Sequence, residues 1–364
     1  MKEKGKRKSD LRSSIILLLI LLLLLITSTY AWFTANQVVT ISTLDVHIEA
    51  QNGLQISANA TNWKSVLENA DLAHDAETAY SGNTNQIPTS MEPVSTIGEI
   101  DTNSGFMKMF YGTVAADEED GGAYKLTATQ ETDKAGKVGK YIAFDMFLRV
   151  DKDTQLKLTN ASNVVMKEGS SDKGIKQASR VAFCLQGTQP VGTDLATITG
   201  MKGAKSFGAT GSTVYIWEPN SNWHTDAAVA HARDNYGLTT SKSLEGGSVA
   251  AVPYYGVNSV ITANPDEDFY GVKLLDTNNG TNTTYFTKVT PSWSTESDKD
   301  GILKAEQNVF NLTAGITKAR VYMWIEGQDV DCENTASGTD ISFNLQFQVV
   351  EAKAAEEEEP AVTP

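Results

Sequence analysis

The chain has 364 residues, a net charge of −15, 21% charged and 40% hydrophobic residues, four histidines and two cysteines. That acidic balance excludes a nucleic-acid binder, which needs a basic face to neutralise phosphates. Two cysteines exclude a disulfide-dense scaffold or a four-cysteine zinc site, while the length holds one large domain or two ordinary ones with a sizeable core.

The chain opens with Lys2, Lys4, Lys6, Arg7, Lys8 and Arg12, then an uninterrupted apolar run from Ile15 to Ile26, then Thr27-Ser28-Thr29-Tyr30-Ala31. A basic start, a short apolar run and small residues at its end describe an export signal. Ala31 and Trp32 flank the expected cleavage point, making residues 1–31 the signal peptide. The alternative is an uncleaved anchor, the one way the protein would meet a membrane. Twelve apolar residues are short for a spanning helix, which needs about 20. Removing the signal leaves 24 basic and 43 acidic residues, a net charge of −19.

From there the dominant period is two. Leu44, Val46 and Ile48 alternate with Asp45, His47 and Glu49. Ile142, Phe144, Met146, Leu148 and Val150 repeat the pattern, as do Val321, Met323 and Ile325 against Tyr322 and Trp324. Ile341, Phe343, Leu345, Phe347 and Val349 complete it against serine, asparagine and glutamine. Strict alternation predicts half-buried strands. Shorter strands are predicted at 53–57, 106–114, 156–159, 180–185, 213–217, 270–275 and 285–289, separated by Gly, Asn, Asp and Ser clusters. One-sided alternation favours antiparallel over parallel sheets, so the expected fold is all-β: an antiparallel, jelly-roll-like β-sandwich over residues 38–350 with minor helical insertions. Helices are predicted at 62–76, from the spacing of Trp63, Val66, Leu67 and Leu72, and at 225–235, which is alanine-rich. Residues 351–364, with four consecutive glutamates and two prolines, read as a solvated acidic tail.

The junction Thr29-Tyr30-Ala31-Trp32-Phe33-Thr34, followed by Ser42-Thr43-Leu44-Asp45-Val46, resembles the signal junction and first strand of TasA-like proteins. These are exported Gram-positive matrix-fibre subunits matured by SipW-type signal peptidases; the resemblance extends to camelysin-like proteins, sometimes described as peptidases, but this sequence has no metal-ligand motif to support that activity. Ser42 stands where the family pattern has glycine, and Ala314 in Asn311-Leu312-Thr313-Ala314-Gly315 stands where a related turn has proline. The resemblance implies a jelly-roll subunit that self-associates into fibres by donating its mature N-terminal segment to a neighbour's sheet. Main-chain hydrogen bonds then supply affinity and alternate side chains fill pockets. Here the donor is residues 32–41, with Trp32, Phe33, Val38, Val39 and Ile41 as apolar contacts. The alternative is that Val38 to Ile41 belong to the protein's own first strand.

Candidate chemical sites are few. Glu326, Asp329, Asp331 and Glu333 form an acidic loop at a strand end, able either to surround a calcium ion or to stand as a solvated turn. Glu296, Asp298 and Asp300 resemble half an EF-hand loop, but the closing glutamate, Glu306, is one position early. Cys184 and Cys332, at predicted strand ends in an exported chain, permit a disulfide or remain free thiols. His224 and His231 with Asp226 and Asp234 read as a surface helix. No nucleophile elbow or phosphate-binding loop is present in the sequence, so no catalytic residue and no cofactor is expected. The expected function is an extracellular or cell-surface structural protein. The alternative is a monomeric adhesin or glycan-binding module using Trp217, Trp223, Trp293 and Trp324, set against core packing of the same residues.

Overall fold

The computed structural model describes residues 44–116, 124–221, 224, 226, 228, 254–262, 285–296, 306–329, 331, 332 and 338–350. The signal peptide with Ala31, the donor segment with Trp32, Phe33, Val38, Val39 and Ile41, the acidic tail and the strand expected at 270–275 lie outside these residues. So does most of the helix expected at 225–235.

The described chain is all-β with minor helices. In order it forms β1 (Leu44–Gln51), β2 (Gln55–Ser57), β3 (Val66–Glu68), β4 (Met109–Ala116), β5 (Tyr124–Glu131), β6 (Ile142–Val150), β7 (Thr154–Leu158) and β8 (Asn163–Met166). There follow β9 (Ser179–Gln189), β10 (Val214–Glu218), β11 (Tyr254–Val257), β12 (Phe286–Val289), β13 (Trp293–Ser294), β14 (Gln307–Leu312), β15 (Gly315–Ile325) and β16 (Ile341–Val350). The helices are single turns: α1 (Asn69–Leu72), α2 (Ile175–Ala178) and α3 (Leu195–Thr199).

One large sheet runs β14-β7-β16-β1-β3, with β8 also on β16; the other runs β13-β10-β9-β15-β6-β2. Two small sheets pair β4 with β5 and β11 with β12. The apolar faces of the large sheets share one cluster: Val46, Ile48, Phe343 and Leu345 from the first meet Phe144, Met146, Val321 and Met323 from the second. Burying such faces is the main stabilising contribution, at roughly 1.5–3 kcal/mol for each fully buried large side chain.

Three expectations are corrected. The large sheets are mixed rather than antiparallel, because β1 runs parallel to β16 in register from Leu44↔Ile341 to Gln51↔Gln348, and β10 runs parallel to β13. Alternation fixes which face of a strand is buried but carries no information about its direction. The helix at 62–76 is replaced by β3 and α1, since Leu67 pairs with Ile48 as an extended residue and only one turn follows. Glu68 and Asp71 close that turn with a reciprocal capping box. Finally, Tyr322 and Trp324 do not face solvent: every residue of β15 is buried. A second cluster covers the outer face of its sheet, where Tyr322 and Trp324 meet Val94, Met107, Met109, Ile216 and Tyr254.

Candidate functional site

The same alternation that sends Phe144, Val321 and Met323 into the main core sends Asp145, Lys318 and Arg320 to the covered outer face. Asp145 of β6 and Arg320 of β15 are directly cross-strand. Arg320 is wholly buried, donating to Asp145 Oδ1 at 2.9 Å, to Asp133 Oδ2 at 2.8 Å and to the Thr84 carbonyl at 3.1 Å. Lys318 donates to the Thr199 carbonyl at 2.5 Å and lies 3.1 Å from Asp145 Oδ2, which also accepts from the Tyr80 hydroxyl. Burial pushes the Asp145 carboxyl up, but the Arg320 and Lys318 charges outweigh it and hold the group below the usual carboxylate range. Burial, with Asp145 alongside, pushes the Tyr80 hydroxyl up, so it stays a donor.

Arg320 and its partners form the floor of a pocket of about 390 Å³, within the size range of small-molecule sites, roughly 300–1,000 Å³. Phe106 lies over the guanidinium, ring centroid 4.4 Å away, and lines the pocket with Met201 from the segment after α3. Ser81, Gly82 and Lys202 are exposed at the rim. Gln186 of β9 also lines it and is buried; its Nε2 donates to the Gly105 carbonyl at 2.8 Å, while its Oε1 has no hydrogen-bond partner among the described residues. That bond fixes the amide orientation, because a flip would set oxygen against oxygen. Gly105 has φ of +77°, and a Cβ there would stand 2.9 Å from Lys202 Cβ and 3.1 Å from Gln186 Oε1. Glycine therefore both permits the turn and keeps the space beside the amide open.

A second buried ionic group lies on the same face. Arg180 of β9 donates to Glu218 Oε1 at 3.2 Å, Asp329 Oδ2 at 2.5 Å and the Gln177 carbonyl at 2.8 Å. Next to it Glu326 accepts from Trp324 Nε1 and from the Gln328 amide, each at 3.0 Å. Its carboxyl is pushed up by burial to about 7, against the lowering effect of hydrogen bonds and of Arg180.

The residues singled out from sequence are distributed differently. Of the acidic loop, Glu326 binds Trp324, Asp329 binds Arg180, and Asp331 lies 2.5 Å from His224 Nδ1; Glu333 is outside the described residues. These three carboxylates each have a separate protein partner, and the described residues hold no group of three His, Cys, Asp or Glu able to hold a metal. Glu306 pairs with Lys157, and Asp298 and Asp300 are not described. Cys184 and Cys332 are not joined by a disulfide. Cys184 lies mid-strand in the second cluster and Cys332 packs against the first, so the disulfide reading is not realised. Burial pushes the Cys184 thiol up. His224 is not on a helix surface, for its side chain and that of Asp331 are both buried.

The tryptophan reading is corrected as well. Trp217, Trp293 and Trp324 are buried, and Trp223 is outside the described residues. Trp293 stacks on Phe183 at a centroid distance of 6.4 Å, so core packing takes these rings. The pocket residues were missed because Asp145, Lys318 and Arg320 occupy the polar phase of their strands and read as solvent-facing. The available signal was Tyr322 and Trp324, large aromatics in that same phase of β15. No helix among the described residues is long and apolar enough to cross a membrane.

No family model matches the chain, and no curated protein or solved structure matches it either. The resemblance to TasA-like proteins rests on the quoted residues of the signal junction and first strand.

Proposed function

We propose that this is an exported surface or extracellular-matrix structural protein that self-associates into fibres by N-terminal strand donation. No reaction is assigned to it. The observation that carries the reading is the placement of β1. It is held by β16 along eight registered pairs and by β3 along three, and all strand pairing of the described residues starts at Leu44. Residues 32–41 precede β1 in the sequence, and this reading assigns them as the donated segment. Among the described residues β14, β3 and β13 end the two large sheets with no further strand beside them, while β2 is bonded through Ile56 to Lys64; such ends are edges of the kind to which an added strand binds.

In this reading a SipW-type signal peptidase cuts between Ala31 and Trp32, and Trp32, Phe33, Val38, Val39 and Ile41 become the donated contacts. Membrane contact is limited to the signal segment where it is retained. The charge of −19 on the mature chain keeps unassembled subunits apart, so lower pH or added divalent cations favours assembly. Negative-stain electron microscopy of the mature protein, beside the same protein lacking residues 32–41, tests it. Filaments only in the first are expected; single particles in both overturn the reading.

A further inference from the structure

We propose that the pocket above Arg320 binds a small hydroxylated carboxylate, such as a sugar acid, free or at the end of an acidic polysaccharide. The inference is independent of fibre assembly. Two features select this chemistry. The first is Gln186 Oε1, a buried acceptor without a partner among the described residues, held in place by the Nε2 bond to Gly105. Buried polar groups left unsatisfied are unfavourable, and this one calls for a ligand O–H or N–H. A bare anion such as phosphate or acetate, being an acceptor, does not supply it.

The second feature is local charge. Lys202, Lys318 and Arg320 line the pocket against one carboxylate, Asp145, in a chain whose overall charge is −15. Asp133 offsets part of this from behind Arg320. Lys202 at the rim makes one long contact among the described residues, 3.5 Å to the Asn103 carbonyl. Lys318 uses its ammonium on the Thr199 carbonyl and on Asp145, and an ammonium has three N–H donors. Spare cationic donors at rim and floor fit a ligand carboxylate. Phe106 and Met201 supply apolar surface for the C–H face of a sugar ring, and the hydroxyls of Ser81 and Ser104 stand at the wall. A neutral sugar satisfies Gln186 without using the charge, and a simple carboxylate does the reverse.

Calorimetric titration of the full mature protein with glucuronate, glucose and acetate separates these cases. Glucuronate is expected to bind saturably and at least about tenfold more tightly than either. Gln186→Leu is expected to lower glucuronate affinity about tenfold, toward that of acetate. Because a buried substitution can disturb folding, Lys202→Ala at the exposed rim is the second variant, expected to weaken glucuronate several-fold and leave glucose unchanged. A digalacturonate that binds more tightly than galacturonate assigns the site to a chain end; equal affinity of these two assigns it to the free acid. Absence of saturable glucuronate binding, glucose or acetate matching glucuronate, or indifference of glucuronate to both substitutions overturns the proposal.

Discussion

Arg320 and Arg180 lie on the same covered face of one sheet, each wholly buried and each held by two carboxylates, yet their surroundings set opposite responses to protons. Around Arg320 a second cation, Lys318, joins Asp133 and Asp145, so Asp145 is stabilised as an anion. Around Arg180 a further acid, Glu326, joins Glu218 and Asp329, and burial outweighs the help it receives. The first group borders a pocket and has Phe106 over its guanidinium, ring centroid 4.4 Å away; the second has Tyr254 over its guanidinium at 5.7 Å. Similar ion pairs on one face therefore differ in their response to protons because of one added charge.

The largest expected effect comes from removing the shared cation at the pocket. Arg320→Met leaves Asp133 and Asp145 buried with their main partner gone, and breaking a buried pair in this way is destabilising by about 3–5 kcal/mol. Urea unfolding at neutral pH checks this. A loss below about 1 kcal/mol means that the carboxylates reach water through the pocket and the network is not a structural requirement.

Next in size is the pH response that separates the two groups. Glu326 has a folded-state value of about 7 against an ordinary 4.5, so between these limits the folded state binds more protons than the unfolded one. Stability from this group is fully present below about 4.5 and falls as pH rises toward about 7, by about 3 kcal/mol in all. Glu326 is hydrogen-bonded by Ser95, Trp324 and the Gln328 amide, and shares its surroundings with Arg180, Tyr254, Glu218 and Asp329; the arginine stays protonated across this range. Glu326→Gln is expected to flatten that part of the stability curve and to be more stable than the unaltered chain at pH 8. Asp145 acts in the opposite sense: its lowered value gives stability present above the ordinary carboxylate range and lost as pH falls through the folded value. Denaturation profiles at several pH values, with and without Glu326→Gln, read both. A profile unchanged by the substitution breaks the contrast.

A smaller effect is expected at Gly105. Alanine there adopts φ of +77° and crowds Lys202 Cβ at 2.9 Å, which puts the loss at about 1–3 kcal/mol. The added methyl also approaches Gln186 Oε1, so ligand affinity is expected to fall with stability. Thermal unfolding and the glucuronate titration check the two parts together.

Much of the strand content was legible because its cause is local. In 341–349 apolar and polar residues alternate, and in 142–150 every second residue is a large apolar one; β16 and β6 occupy those positions. What was not legible depends on partners distant in sequence. Direction was hidden: β1 finds β16 about 300 residues away and runs parallel to it. So was the second covering layer, because Tyr322 and Trp324 are buried by Met107, Ile216 and Tyr254 from three separate segments. β3 was misread because Val66 and Leu67 fit a helix stripe as well as an extended pair. The pocket was invisible for the same reason as the layer: Asp145, Gln186 and Arg320 come from three strands, and each is an ordinary polar residue until the sheet sets them side by side.

The smallest expected effect supplies the scale for the others. Lys167 Nζ lies 2.9 Å from Asp45 Oδ2, with the side chains 39% and 52% exposed. The attraction is formally the same as between Arg320 and Asp145. In water, however, the charges are already solvated, the long side chain gives up rotamer freedom, and salt screens the pair. Lys167→Ala is therefore expected to change stability by no more than about 0.5 kcal/mol in either direction, an effect that added salt erases. If urea unfolding gives a loss comparable to that of Arg320→Met, burial is not what distinguishes these pairs. The Asp45–Lys167 contact, which joins the start of β1 to the end of β8, would then be fastening the first strand of the fold through its charge.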